Sequence, residues 1–182
     1  MPRINAPTIE TAPAASQPQL AAVKKQLGAV PNLFRTIAHS PAALEGYLGL
    51  NGALSKGSLD AATRERIALA VAEFNGCKYC LAAHTYLGKN LAKLSDGEIE
   101  ANRRGRSSDA KADAAVAFAV KVVAARGQVS DADISAVRAA GFTEADIIEI
   151  IVHVALNTLT NYVNEVAGTA VDFPVAATLK AA

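Results

Sequence analysis

Helix punctuation runs through this chain almost without a break, and it leaves little room for any other fold class. Ser58, Ser95, Asp109, Ser130 and Thr143 each stand ahead of an apolar run. There a side-chain oxygen can accept an unpaired N–H of a helix's first turn. Gly76, Gly127 and Gly141 follow such runs and can adopt the left-handed conformation that ends a helix. These signals predict helices over 58–75, 77–91, 109–126 and 130–140, one opening at Ser95, and one from Thr143 towards Ala167. Ser95 and Glu98 have capping-box spacing. Upstream, 19–27, 32–38 and 41–54 read as shorter helices, separated by Gly28, Val30-Pro31 and Ser40-Pro41. No run alternates with period two between turn signals, so no strands are expected. The Val-Ala stretch 67–72 has strand propensity, but its length and flanking caps make it a buried helix. The fold class is all-α.

Pro2, Pro7, Pro13 and Pro18 are unsuited to helix interiors and make residues 1–18 an extended N-terminal arm. Residues 19–182 then form a single helical domain, long enough for one well-filled core. Lys plus Arg (18) nearly balance Asp plus Glu (17), which removes any bulk electrostatic case for nucleic acid or an anionic membrane. Apolar residues make up 51% of the chain. That content implies extensive helix–helix burial, either within closely packed alanine-rich helices or also at a subunit interface. The first residues hold no apolar signal-peptide core. The apolar run 147–163 is broken by Glu149, His153, Asn157 and Asn161, a poor membrane span. The expected address is the cytoplasm, where thiols stay reduced and a CxxC pair is catalytic or metal-binding rather than a structural staple.

The only two cysteines form that pair, in Cys77-Lys78-Tyr79-Cys80, and His84 follows four residues later. On a helix, positions i, i+3 and i+7 share a face, so both sulfurs and the imidazole gather there. A thiol with pKa about 8.5 is only a few per cent thiolate at neutral pH. Making it half thiolate needs about 2 kcal/mol, more than the roughly 0.3–1 kcal/mol usual at a helix terminus. A base is therefore expected, and His84 is the local one. Cys77 lies nearer the helix terminus and Cys80 nearer His84; proton removal needs direct contact, which favours Cys80. If the helices flanking Gly76 fold back on each other, Glu65 can meet and orient His84. Glu73 is the rival, being closer in sequence.

The pattern Glu65-x11-Cys77-x-Tyr79-Cys80-x3-His84 resembles the alkylhydroperoxidase D-like (AhpD-like) proteins of the carboxymuconolactone decarboxylase superfamily, and within them the peroxidase-related branch. The segments 28–35 and 160–164, with Asp172-Phe173-Pro174, add to the likeness. The resemblance implies an AhpD-like all-α fold that forms homo-oligomers, and thiol-dependent peroxidase activity without haem, flavin or metal. It implies that Cys80 attacks a peroxide and becomes a sulfenic acid, and that Cys77 condenses with it to a disulfide. His84 would activate Cys80, Glu65 would support His84, and an external dithiol protein, lipoyl or thioredoxin-like, would reduce the disulfide. Tyr79 stands where the best-known peroxidase members carry histidine, and tyrosine is usual in the peroxidase-related branch. It can hydrogen-bond but hardly act as a base at neutral pH.

Other readings compete. Zinc would need His39 or His153 to complete Cys77, Cys80 and His84. Leu81 occupies the place where a c-type haem motif needs histidine. A decarboxylase-like enzyme would not require the cysteine pair. A non-enzymatic oligomeric module could use the pair to sense redox state. His153 reads as a core or interface residue, His39 as exposed near a turn, and Arg103-Arg104-x-Arg106 as a solvated cluster. Asn157, Asn161 and Asn164 lie at helical spacing and can cap or cross-link helices.

Overall fold

Helix α4, Ala61–Phe74, is the element around which the rest is arranged in the computed structural model, which describes residues 1–179. Ile67 through Ala72 are all buried, so the middle of α4 has no solvent face. Alanines at 68, 70 and 72 let neighbouring helices approach closely, which is why this Val-Ala stretch is a central helix rather than a strand. Around it pack α5 (Lys78–Asn90), α6 (Asp96–Arg103), α7 (Ala110–Ala124) and the long α9 (Glu144–Ala167). Helices α1 (Gln17–Leu27), α2 (Asn32–Ile37) and α3 (Pro41–Leu54) lie along one flank, with α2 and α3 against α9; α8 (Asp131–Ala139) sits on α7. No strand occurs among the described residues, and no helix among them is long and apolar enough to cross a membrane.

Most predicted helices stand within a residue or two of their expected ends. Asp109, Ser130 and Thr143 each accept a backbone N–H at their helix's third position, and the latter two complete reciprocal capping boxes. Two caps differ. Ser58 is not the start of α4: Asp60 is, with its carboxylate accepting the Thr63 N–H at 2.7 Å. Ser58 instead donates its hydroxyl to Asp146 and its N–H to Glu149, tying this loop to α9. Ser95 does cap α6 by accepting the Glu98 N–H, but Glu98 does not return the bond, because its carboxylate is turned inward.

That inward carboxylate is a structural keystone between α4, α6 and the loop before α7. Glu98 is 6% exposed. Its oxygens accept from Arg66 Nε at 2.7 Å, Asn102 Nδ2 at 2.9 Å, the Ser108 N–H at 2.9 Å and the hydroxyls of Ser107 and Ser108, each at 2.5 Å. Burial disfavours its charge, but the two serines and Asn102 outweigh that and hold it well below the ordinary carboxylate range. A carboxyl with a depressed folded-state pKa contributes stability above its unfolded value, about 4.3, and that contribution disappears as the pH falls further. Glu98→Gln keeps the shape but leaves Arg66 without its anion. It should cost about 3–5 kcal/mol in chemical denaturation at neutral pH, and the difference from wild type should shrink as the pH falls through 4.

The arm is shorter than residues 1–18 and is docked. A 3₁₀ turn at Ala14–Ser16 leads directly into α1, and Pro18 stands in that helix's first turn, where its missing N–H removes no hydrogen bond. Arg3 donates through its backbone N–H to Ala167 O and through its guanidinium to the carbonyls of Glu165 and Val166, closing the end of α9. Arg35 holds the carbonyls of Ala6 and Pro7.

Candidate active site

The corner between α4 and α5 builds the site. Gly76 has φ of +68°, a conformation that costs residues with a Cβ roughly 1–2 kcal/mol. The Cys77 N–H returns to Ala72 O at 2.9 Å, so α5 starts immediately and turns back along α4. Cys77 is the N-cap of α5: its sulfur accepts the Cys80 N–H at 3.4 Å, where an oxygen usually stands. Both cysteines are free, and both are buried, at 0% and 2% exposure.

One turn further along, His84 Nδ1 lies 2.8 Å from Glu65 Oε2 of α4, each side chain about 20% exposed. This bond commits Nδ1 as donor and leaves Nε2 for proton exchange. Glu73 takes no part. It lies little more than two turns further along α4 and pairs with Arg103 at 2.6 Å. Arg103 in turn reaches Ala177 O at 2.6 Å, so this member of the arginine cluster is buried in an ion pair rather than solvated.

Helix α9 closes the site from the other side. Asn164 donates its amide to Cys80 Sγ at 3.3 Å, and Thr160 Oγ1 lies 3.9 Å from the same sulfur. Asn75 donates to Asn161 Oδ1 at 2.8 Å and fixes that side chain as well. Asn161 and Asn164 therefore tie α9 to the α4–α5 corner, Asn164 touching the sulfur itself, while the Asn157 amide bonds within α9, to His153 O. Tyr79 points elsewhere. Its hydroxyl accepts the Leu33 N–H at 3.1 Å and its ring meets Phe173 edge-on. Burial, and Asp172 beside it, hold the phenol above its ordinary value, so it stays neutral. It braces the wall of the site rather than exchanging protons with the sulfurs.

The electrostatics separate the two thiols. Cys80 is pushed down to about 6: the Cys77 thiol donates to it, burial works the other way, and the His84 imidazolium with the Asn164 and Asn161 amides adds to the lowering. Cys77 is driven up, chiefly because it gives its proton towards Cys80, and then by burial. Burial opposes the charged form of His84, but the Glu65 carboxylate and the Cys80 sulfur outweigh it and raise its pKa above the ordinary value. The arrangement is a thiolate at Cys80, an imidazolium at His84 and a carboxylate at Glu65, with a neutral thiol held beside the first.

A cavity of about 120 Å³ opens onto this set, lined by Cys80, His84 and Glu65 and also by Tyr47, Arg64 and His153. Cys77 does not line it. The sequence does not point to Tyr47 or Arg64, and it reads His153 as a core or interface residue; these side chains come from α3, α4 and α9, whose placement only the tertiary fold decides. His39 lies apart, exposed, with Nε2 2.7 Å from Asn5 O. Among the described residues no group of three or more His, Cys, Asp or Glu side chains gathers to hold a metal ion.

The helical fold is shared with proteins of known structure. A peroxidase-related protein with an AhpD core from Ralstonia eutropha JMP134 superposes with a TM-score of 0.83 at 28% identity, covering 94% of this chain and 92% of its own. A peroxidase-related protein from Silicibacter sp. TM1040 gives 0.79 at 25% identity, over 92% and 91%. The debrominase Bmp8 shares the fold with a TM-score of 0.77 at 19% identity, over 93% and 91%. No curated protein matches the chain. Residues 41–125, which hold Glu65, both cysteines and His84, match the carboxymuconolactone decarboxylase family, so the chain carries a domain of that family within an AhpD-like helical fold.

Proposed function

We propose that the protein is a thiol-dependent peroxidase that reduces organic hydroperoxides or hydrogen peroxide through a Cys77–Cys80 dithiol/disulfide cycle. The observation that carries this reading is the buried Cys80 sulfur, hydrogen-bonded by Asn164 and lining one cavity with the Glu65–His84 pair. The Cys80 thiolate attacks the terminal peroxide oxygen; an S–O bond forms, the O–O bond breaks, and His84 gives its proton to the leaving alkoxide. The products are an alcohol and a Cys80 sulfenic acid. Cys77 then attacks that sulfur; an S–S bond forms and water leaves, its second proton coming from the Cys77 thiol. An external dithiol restores both thiols and is itself oxidised to a disulfide.

The fold alone does not choose this chemistry, since the debrominase Bmp8 has it too; the CxxC–His–Glu set is what supports it in this chain. A lipoyl or thioredoxin-like protein fits as reductant, in a compartment that keeps thiols reduced, such as the cytoplasm. Assembly into a homo-oligomer belongs to the same reading, supported by Ile148, Leu159, Tyr162 and Val166, which α9 leaves exposed. The test is peroxide consumption by purified protein with and without a panel of dithiols. Consumption that requires a dithiol supports the reading. Activity of any kind that survives in a Cys77→Ser/Cys80→Ser double variant would point to a decarboxylase-like enzyme. A disulfide that alters oligomer size without turnover would point to a redox-sensing module.

A further inference from the structure

Arg64 and His153 line the Cys80 cavity, yet the thiol cycle uses neither. Arg64 sits half-buried in the first turns of α4. One of its N–H groups donates to Leu59 O at 2.5 Å, and no carboxylate among the described residues forms an ion pair with it. The carboxylates that act on His153 are engaged elsewhere, Glu65 by His84 and Glu149 by the backbone N–H groups of Ser58 and Leu59, and Asp60 caps α4 at Thr63. His153 is 5% exposed, and its Nε2 is buried without a hydrogen-bond partner. Burial, then the Arg64 charge, push His153 down to about 4, so it is a neutral imidazole with one N–H to donate. A guanidinium with unused donors beside an unpaired buried imidazole is a donor set suited to a carboxylate.

We infer that Arg64 and His153 form an anion subsite in the Cys80 cavity, which makes a small hydroperoxide bearing a carboxylate the favoured acceptor. This rests on the peroxidase reading for the reaction, but the subsite itself rests on the cavity. Its lining includes two anions, Cys80 and Glu65, and one cation, His84. Arg64 supplies the second cation, so an incoming carboxylate does not meet a net negative wall. At about 30 Å³ per water in the liquid, a cavity of about 120 Å³ suits a short-chain acid and not a lipid tail.

The test compares two alkylating reagents that differ only in charge. Iodoacetate and iodoacetamide each form an S–C bond at the Cys80 sulfur as iodide leaves. Any change in thiolate fraction affects both alike and cancels in their rate ratio. The iodoacetate-to-iodoacetamide ratio, followed at Cys80 by mass spectrometry, should fall about tenfold or more in Arg64→Gln and stay near wild type in Arg64→Lys. His153→Gln should lower it less. A parallel assay with a hydroperoxy carboxylate and its methyl ester should show the same loss of preference in kcat/KM. An alkylation ratio unchanged in Arg64→Gln would overturn the subsite. An altered ratio in a protein that consumes neither hydroperoxide would sustain the subsite and overturn the peroxidase reading instead.

Discussion

Cys80→Ser should remove peroxide turnover altogether, a loss on the order of 10³-fold or more, because nothing else in the cavity can act as nucleophile. Cys77→Ser should behave differently. Its Cys80 still has the Asn164 amide and the His84 imidazolium beside it, so one equivalent of peroxide per subunit should be consumed. The chain should then stop with a sulfenic acid that a dimedone-type reagent traps on Cys80. No disulfide can form, and a protein dithiol should restore little turnover. The asymmetry follows from the geometry: Cys80 lines the cavity and Cys77 does not, while Cys77 is held over the first turn of α5 by its bond from the Cys80 N–H. A sulfenic acid found on Cys77 in the Cys80→Ser variant would reverse the two roles.

His84→Gln should slow the oxidation step by about 10²–10⁴-fold, the range typical of a lost general acid–base group. Its pH dependence carries the sharper expectation. Cys80, pushed down to about 6, must be a thiolate to attack, so the rate should fall about tenfold per pH unit below that point. His84 must be protonated to give its proton to the leaving oxygen, so the rate should fall again above the raised His84 pKa. A plateau should lie between the two limbs. Glu65→Gln removes the strongest attraction that holds the imidazolium charged. The alkaline limb should therefore move to lower pH and narrow the plateau, a change that a merely structural role for Glu65 would not produce. Wild-type and Glu65→Gln profiles with the same alkaline limb would separate Glu65 from the proton path.

What the sequence made legible follows the range of the interactions involved. Helix caps act over three residues, and Asp109, Ser130 and Thr143 were readable for that reason. Ser58 reads as a cap from sequence, but Asp60 offers the same chemistry two residues later, and a long-range bond to Asp146 claims the serine. Pro18 reads as a breaker although it occupies the one part of a helix that tolerates it. The Cys77, Cys80 and His84 set is a single helical face and needed only the periodicity of α5. Glu65 required one further step, the reversal at Gly76. That step also removes Glu73, which ends up facing α6 and Arg103. Asn164 stands out by its spacing, but its partner is not legible, because 84 residues separate it from Cys80. Tyr79 shows the opposite limit: its chemistry was readable, but the direction of its side chain depends on Leu33 and Phe173 in distant segments. Arg64 carried no motif at all, and its place on the cavity wall emerges only from the packing of α4 against α5 and α9.

Cys80 is a buried thiol held as an anion by its neighbours, and thiolate absorbance near 240 nm reads this directly. Titration of the reduced wild-type protein should show one thiol ionising with a midpoint near 6, and that transition should be missing in Cys80→Ser. A first midpoint at the ordinary thiol value of about 8.5, or an acidic transition that persists without Cys80, would contradict the account.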